Sequence, residues 1–334
     1  MKRGVLAALL CVASLGAGRA FGDTYFFLGG NRYDGYKFFQ GYQSPTLVFS
    51  HQSTLSIFGT YYSAIADFNG DGYPDVAISY ANPQDLFYVG DVSIVDGRTG
   101  SPITTILLNT PTQTNGNGAP VAAGDVNGDG ISDLIVGPNS GAGGYSQIHV
   151  YSGKDWSALP ITYPASGPLV ATADFNHDGK SDIVTAGSVY DGATGNLLFT
   201  FPAGIVQDLA TGDINGDGTP DIAVEGTSSI SVYSGVNQQL IDTFPGGGTP
   251  YHIAVADMNQ DGYADLLRYD GASGLKIFSG FDGSVLSSPS SPSLYWPMPI
   301  DAGPISAFAQ APEPGTLGIL ACGVVGFTRR RRKR

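Results

Sequence analysis

Apolar residues in this chain fall into short runs, each bounded by glycine, proline, asparagine or aspartate. Val76-Ala77-Ile78-Ser79, Leu134-Ile135-Val136-Gly137, Ile183-Val184-Thr185-Ala186, Ile222-Ala223-Val224-Glu225 and Leu266-Leu267-Arg268-Tyr269 are such runs, rich in β-branched residues. Small or apolar residues also precede each of them by about a dozen positions, as in Ser63-Ala64-Ile65-Ala66 and His252-Ile253-Ala254-Val255-Ala256. Short, mostly buried strands joined by tight turns are the elements this pattern predicts. Long charged helical stretches are absent. The fold class is all-β.

The connection between the paired runs is the same nine-residue pattern five times over. It reads Asp-x-Asn-x-Asp-Gly-x-x-Asp, starting at Asp67, Asp125, Asp174, Asp213 and Asp257, so the starts lie 58, 49, 39 and 44 residues apart. Such a period is the scale of one propeller blade. A second pattern recurs downstream, a strand ending in a Ser-Gly or Asp-Gly turn: Asp96-Gly97, Ser152-Gly153, Asp191-Gly192, Ser234-Gly235 and Ser279-Gly280. One repeat thus reads strand, loop, strand, strand, turn, strand. Four antiparallel strands in about 45 residues make a blade.

The chemistry of the loop explains its spacing. Calcium takes six to eight oxygen ligands, and side chains at positions 1, 3, 5 and 9 of a tightly curled loop converge on one point. Position 7 adds its backbone carbonyl, and glycine at position 6 permits the left-handed backbone of the reversal. The expected ligands are Asp67, Asn69, Asp71, Tyr73 and Asp75 in the first loop, and Asp125, Asn127, Asp129, Ile131 and Asp133 in the second. The third offers Asp174, Asn176, Asp178, Lys180 and Asp182, and the fourth Asp213, Asn215, Asp217, Thr219 and Asp221. The fifth offers Asp257, Asn259, Asp261, Tyr263 and Asp265. Up to five calcium ions are therefore expected. Asn-Gly and Asp-Gly also favour plain turns, but turns alone do not call for aspartate at positions 1, 5 and 9 in every copy.

An EF-hand or dockerin loop would place a further ligand at position 12 and a helix after it. Position 12 is Ile78, Val136, Thr185, Val224 or Arg268, and a strand follows each time. The repeats instead resemble the FG-GAP family, related to VCBS repeats, whose calcium-binding blades also build integrin α-subunit heads. Phe58-Gly59 precedes the first loop, and Asp133-Leu134-Ile135-Val136-Gly137-Pro138 resembles the family's Asp-Leu-x-Val-Gly-Ala-Pro tail with one residue missing. The resemblance covers about residues 58 to 290 and implies a β-propeller with calcium loops between the first two strands of five blades. Thr24–Ser50 and Leu294–Phe308 carry strand-like pieces without a loop. A closing blade made from one or both makes six the expected number, with five and seven compatible.

The two ends read differently from the middle. Met1-Lys2-Arg3, an apolar run from Val5 to Ala17 and small residues before Ala20 form a secretory signal. Cys11 follows Leu10, where a lipoprotein signal needs a small residue, so lipidation is not expected. At the other end, Pro312-Glu313-Pro314, the apolar stretch from Gly315 to Phe327 and the six cations from Arg329 to Arg334 follow in order. A basic cluster after an apolar segment stays cytoplasmic. The order resembles the PEP-CTERM sorting signal of Gram-negative bacteria, which implies processing by an exosortase and attachment to the membrane only through this segment, before processing. The expected organisation is residues 1–20 signal, 21–290 propeller, 291–311 a Ser/Pro-containing linker or closing strand and 312–334 sorting signal. Secretion to the cell surface or extracellular matrix follows from it.

Without its two ends the chain keeps seven Lys+Arg against 28 Asp+Glu, a charge near −21, and fifteen of those acidic residues lie in the loops. Five calcium ions would bring it near −11. No basic patch remains for nucleic acid. Cys11 and Cys322, the two cysteines of the chain, both lie in the ends, so the domain needs a staple other than disulfides.

No catalytic constellation is legible. His51, His149, His177 and His252 have no zinc-ligand spacing, and His177 sits at a non-ligand loop position where a solvent-facing side chain is expected. Glu225 is the one glutamate between the two ends, so a paired-carboxylate glycosidase would depend on aspartates that the loops already claim. The expected function is non-enzymatic recognition or adhesion, toward a protein or an exopolysaccharide, on the propeller face. Trp156 and Trp296 are as compatible with stacking on a ligand as with core packing. The alternatives are a polysaccharide lyase or hydrolase on a calcium-stabilised propeller, and an envelope scaffold without a soluble ligand.

Overall fold

The computed structural model describes residues 62–72, 74–81, 90–108, 119–138, 147–164, 167, 169–246, 251–259, 261–270 and 274–287, together with backbone strands at 8–9, 24–29, 32–38 and 46–52. The last four are β1 (Ala8–Leu9), β2 (Thr24–Gly29), β3 (Arg32–Phe38) and β4 (Thr46–Gln52), an antiparallel sheet in that order. β1 falls inside the expected signal. The linker, Leu294–Phe308, Trp296, Tyr73, the side chains of His51 and His252 and the sorting signal lie outside the described residues.

Five blades follow. Blade 1 is β5 (Tyr62–Ala66), β6 (Asp75–Ala81), β7 (Gly90–Val95) and β8 (Pro102–Leu107). Blade 2 is β9 (Val121–Gly124), β10 (Asp133–Val136), β11 (Gln147–Tyr151) and β12 (Tyr163–Pro164). Blade 3 is β13 (Ala171–Ala173), β14 (Asp182–Thr185), β15 (Ser188–Tyr190) and β16 (Leu197–Thr200). Blade 4 is β17 (Asp208–Gly212), β18 (Asp221–Glu225), β19 (Ser229–Tyr233) and β20 (Leu240–Pro245). Blade 5 is β21 (Tyr251–Ala256), β22 (Asp265–Asp270), β23 (Gly274–Phe278) and β24 (Val285–Ser287). Each is a four-stranded antiparallel meander. The protein is a β-propeller, and five blades stand among its described residues, inside the expected range of five to seven. The strand-like pieces expected in Thr24–Ser50 form the separate N-terminal sheet β1–β4.

Burial falls from the first strand of a blade to the last. β9, β10, β13, β14 and β18 are buried along their whole length, whereas β16 and β20 are largely exposed. Strands buried on both faces read as continuous apolar runs, which is why the first two strands of each repeat stand out in the sequence. The core is split into layers between blades rather than gathered into one mass. Phe68, Val92, Leu108 and Leu134 fill the layer between blades 1 and 2, and Val126, Ile148, Tyr163 and Ile183 the next. Phe175, Val189, Leu209 and Ile222 lie between blades 3 and 4, and Ile214, Ile230, Ile253 and Phe278 between blades 4 and 5. Tyr62, at the start of β5, packs against both the first of these layers and the one between blades 3 and 4. It therefore reaches across the middle of the propeller, and burial, with Asp208 nearby, pushes its phenol up to about 12.

Candidate metal-binding loops

Every loop joins the first two strands of its blade, as expected, and the five share one hydrogen-bond scheme. The position-1 aspartate accepts the N–H of glycine 6 on Oδ2, at 2.8 Å from Gly72, Gly130 and Gly218, 2.9 Å from Gly262 and 3.0 Å from Gly179. The asparagine at position 3 accepts the N–H of position 5 at 2.8–2.9 Å in each copy. Glycine 6 has φ between 83° and 92° in all five, the left-handed region that a side chain resists. The loop is thus curled before any ion is considered.

Position 9 does more than the sequence pattern implied. Asp75, Asp133, Asp182, Asp221 and Asp265 are each 0% exposed. One carboxylate oxygen accepts the N–H of position 2, from Phe68, Val126, Phe175, Ile214 and Met258 at 2.8–3.0 Å. The other accepts an N–H from the third-to-fourth-strand turn of the same blade, donated by Gly97, Gly153, Gly192, Gly235 and Gly280 at 3.0–3.2 Å. The Ser/Asp-Gly signature is therefore half of a clamp. Its glycine is needed for room: a Cβ there would lie 1.7–2.1 Å from the position-8 carbonyl oxygen of Pro74, Ser132, Ser181, Pro220 or Ala264. None of these five glycines has a positive φ, so a close approach and not backbone freedom sets the residue type. The turn itself closes identically in each blade, with the N–H of its fifth residue bonded to the carbonyl of its first, as from Gly100 to Asp96 and from Gly195 to Asp191.

Burial is the main force pushing the position-9 carboxyls up. It takes Asp75, Asp221 and Asp265 to about 7 and Asp133 and Asp182 to about 6, against the pull of the amide donors. The other loop aspartates add repulsion, Asp67 and Asp71 on Asp75 and Asp217 and Asp213 on Asp221. Among the described residues no three His, Cys, Asp or Glu side chains meet as a finished metal cage. The carboxylates of positions 1 and 9 are turned toward backbone amides, and the expected donor set also contains an asparagine oxygen and a main-chain carbonyl. The donors nevertheless fit a hard cation: all are oxygens, they sit on one curled loop, and their repulsion is of the kind a divalent ion relieves.

Neighbouring loops are tied to one another. The N–H of Ser181, at position 8 of blade 3, bonds the carbonyl of Asp125 in blade 2 at 2.8 Å, and Ala264 of blade 5 bonds Asp213 of blade 4 at the same distance. The position-7 side chain lies over position 4 of the preceding loop: Lys180 covers Gly128, and Tyr263 covers Gly216. His177 faces solvent, as expected, and also shares a hydrogen bond with Thr219 of the next blade at 3.2 Å. Trp156 packs on Phe68 of the preceding blade, ring centroids 6.0 Å apart, which favours the packing role.

The FG-GAP-like repeat profile matches residues 67–136 and 213–267, and the PEP-CTERM protein-sorting profile matches 310–333. The chain carries FG-GAP-like repeats and a PEP-CTERM sorting motif. The motif marks an exported protein with a C-terminal sorting signal and implies recognition by an exosortase. The FG-GAP match spans loops 1, 2, 4 and 5; loop 3, which carries His177 in place of glycine, lies outside it. No curated protein matches the chain. Among solved structures, Bacillus licheniformis rhamnogalacturonan lyase PL11 is 15% identical with a TM-score of 0.47, covering 86% of this chain and 58% of that one. The V. cholerae biofilm matrix protein Bap1 is 20% identical with a TM-score of 0.43, covering 70% of this chain and 40% of its own. The BBS1N chain solved in complex with ARL6DN is 14% identical with a TM-score of 0.48, covering 88% and 86%. The chain spans a little over half the length of the lyases it matches. Among the described residues no helix is long and apolar enough to cross a membrane.

Proposed function

We propose that this is a calcium-stapled surface protein, which uses its propeller for recognition or adhesion at the envelope or matrix of a Gram-negative bacterium. The observation that carries the reading is the repeated loop: five curled sets of oxygen donors, each fixed to its blade by a buried aspartate, in a domain without cysteine. In each loop the side chains of positions 1, 3, 5 and 9 and the carbonyl of position 7 would hold the ion. The ion would supply positive charge where three carboxylates crowd together, and so fix the loops that join the blades. The signal at 1–20 would direct export, and the C-terminal segment would hold the protein in the membrane until it is processed.

Calcium is the test. The intact protein should lose about 10 °C or more of its melting temperature in EDTA, since several linked sites each add binding free energy to the folded state. Calcium should restore it, and magnesium far less, because magnesium demands a smaller octahedral shell. An unchanged melting temperature in EDTA would refute the staple.

Recognition is favoured over polysaccharide cleavage because chemistry-bearing groups are few. Glu225 stands against Arg268, Nε to Oε1 3.5 Å, with both side chains buried. A pair used to neutralise itself between blades is poorly placed as an acid or base. Release of reducing ends or unsaturated products from acidic or neutral polysaccharides would overturn this choice, and a scaffold role would show as no binding to any glycan or protein array.

A further inference from the structure

The seam between blades 3 and 4 is built differently from its neighbours, and the difference opens a cleft. At the seams between blades 2 and 3 and between blades 4 and 5, position 8 donates its N–H to the preceding loop. In blade 4 position 8 is Pro220, which has no N–H to give. At those other seams a long position-7 side chain, Lys180 or Tyr263, lies over a glycine. Here position 7 is the short Thr219, facing His177. Between blades 1 and 2 the turn residue Trp156 packs on Phe68; the equivalent turn residue in blade 4 is Gln238. What remains is a cleft of about 510 Å³, walled by Phe175 and Phe199 and rimmed by Asn176, His177, Thr219 and Gln238.

Backbone strain is concentrated at the same place. Three described residues other than glycine have a positive φ, namely Trp156 at 61°, His177 at 58° and Gln238 at 62°. Two of the three line this cleft. His177 stands where loops 1, 2 and 4 have Gly70, Gly128 and Gly216, and Gln238 where three other turns have Gly100, Gly195 and Gly283. Side chains at positions that favour glycine, twice on the rim of one opening, point to a use that outweighs the strain.

We propose that this cleft binds a neutral saccharide unit, a reading that rests on the recognition role above and gives it a place. The chemistry of the walls selects the ligand. Phe175 and Phe199 meet edge to face with centroids 5.5 Å apart and offer an apolar wall to the C–H face of a sugar. Thr219, Gln238 and the His177 ring donate and accept hydrogen bonds, as hydroxyl groups require. No lining residue is an aspartate, glutamate, lysine or arginine. The two flanking loops contribute six aspartates, and the exported part stays acidic even with every loop filled, so a uronate polymer would be repelled. The volume lies within the range of small-ligand sites. Phe175 and Asn176 are positions 2 and 3 of the third loop, so ordering of that loop by an ion would also set the wall.

The experiment converts this seam into its closed neighbour. In H177G/T219Y, glycine and tyrosine replace the pair as at Gly216 and Tyr263, and Q238G restores glycine in the turn. Binding of maltohexaose, cellohexaose and mannohexaose to the intact protein in calcium is measured by calorimetry, with an oligogalacturonate as the acidic control and melting temperature as the check on folding. At least one neutral probe should bind, with about tenfold or greater preference over the oligogalacturonate, and each variant should lose about tenfold or more in affinity while its melting temperature holds or rises. Undiminished binding by both variants would place the site elsewhere and leave the recognition role standing. Preference for the acidic probe, or no binding of any neutral probe by the unaltered protein, would overturn the assignment. A fall in melting temperature confined to H177G/T219Y leaves Q238G to decide.

Discussion

The propeller buries charge in two ways. At the loop end of each blade the position-9 aspartate is surrounded by backbone N–H groups, and the same arrangement occurs five times with distances that barely differ. Toward the other end of the second strands an ion pair, Glu225 with Arg268, joins blade 4 to blade 5. Close by, Asp208 of blade 4 accepts the N–H of Ile253 in blade 5 at 3.0 Å. The first solution satisfies a carboxylate with main-chain donors that the fold itself needs satisfied, so neither side can be dispensed with. The second solves a problem that its own two side chains create, and among the described residues it appears once.

The difference can be broken by substitution. Asp221→Ala should be the most damaging, because it leaves the N–H groups of Ile214, Asn215 and Gly235 buried without an acceptor. At about 1–3 kcal/mol for each orphaned donor, a loss of about 5 kcal/mol is expected in urea unfolding, and no apolar replacement should recover it. Arg268→Met should cost about 3–5 kcal/mol by stranding the Glu225 carboxylate, yet Glu225→Leu with Arg268→Met should return close to the parent stability. If the double variant stays as unstable as the single one, the pair does more than neutralise itself. Smaller again is the contrast between two glycines of blade 3. Gly192→Ala drives a Cβ toward the Ser181 carbonyl and should cost about 2–3 kcal/mol. Gly179→Ala meets open space and should cost about 1–2 kcal/mol, through left-handed backbone strain alone. Equal costs for the two would remove the close-approach explanation of the turn glycine.

The repeated solution was legible in the sequence and the single one was not. Five copies of Asp-x-Asn-x-Asp-Gly-x-x-Asp can be aligned by eye, and the strands at Val76, Leu134, Ile183, Ile222 and Leu266 follow because double burial makes them continuously apolar. The turn glycines were visible too, as a separate signature. Their bond to position 9 was hidden because residues 10 to 22 positions apart meet only once the blade is folded. A glycine retained in every copy of a turn that also fixes its own Asp or Ser was the available hint. Arg268 stands in the sequence as a position-12 residue that cannot ligate, but nothing in a linear chain pairs it with Glu225 of the previous repeat. The exposure of His177 is legible from its loop position, but its partner Thr219 is not, because that residue belongs to the next blade. Blade number had no loop to count outside 67–265, so the region of β1–β4 could be read as strands but not placed.

Pro220 also makes the seam before blade 4 easier to part than the seam on either side of it. Under load or heat, neighbouring blades part more readily where fewer main-chain bonds cross between them. At the seam before blade 4 proline denies the bond that Ser181 and Ala264 make elsewhere, and the strand connection there runs through the exposed Ile205. That seam separates blades 1 to 3 from blades 4 and 5. A cut at the exposed Ile205 would make a split-protein pair, whose reassembly could be followed by the closing of this seam.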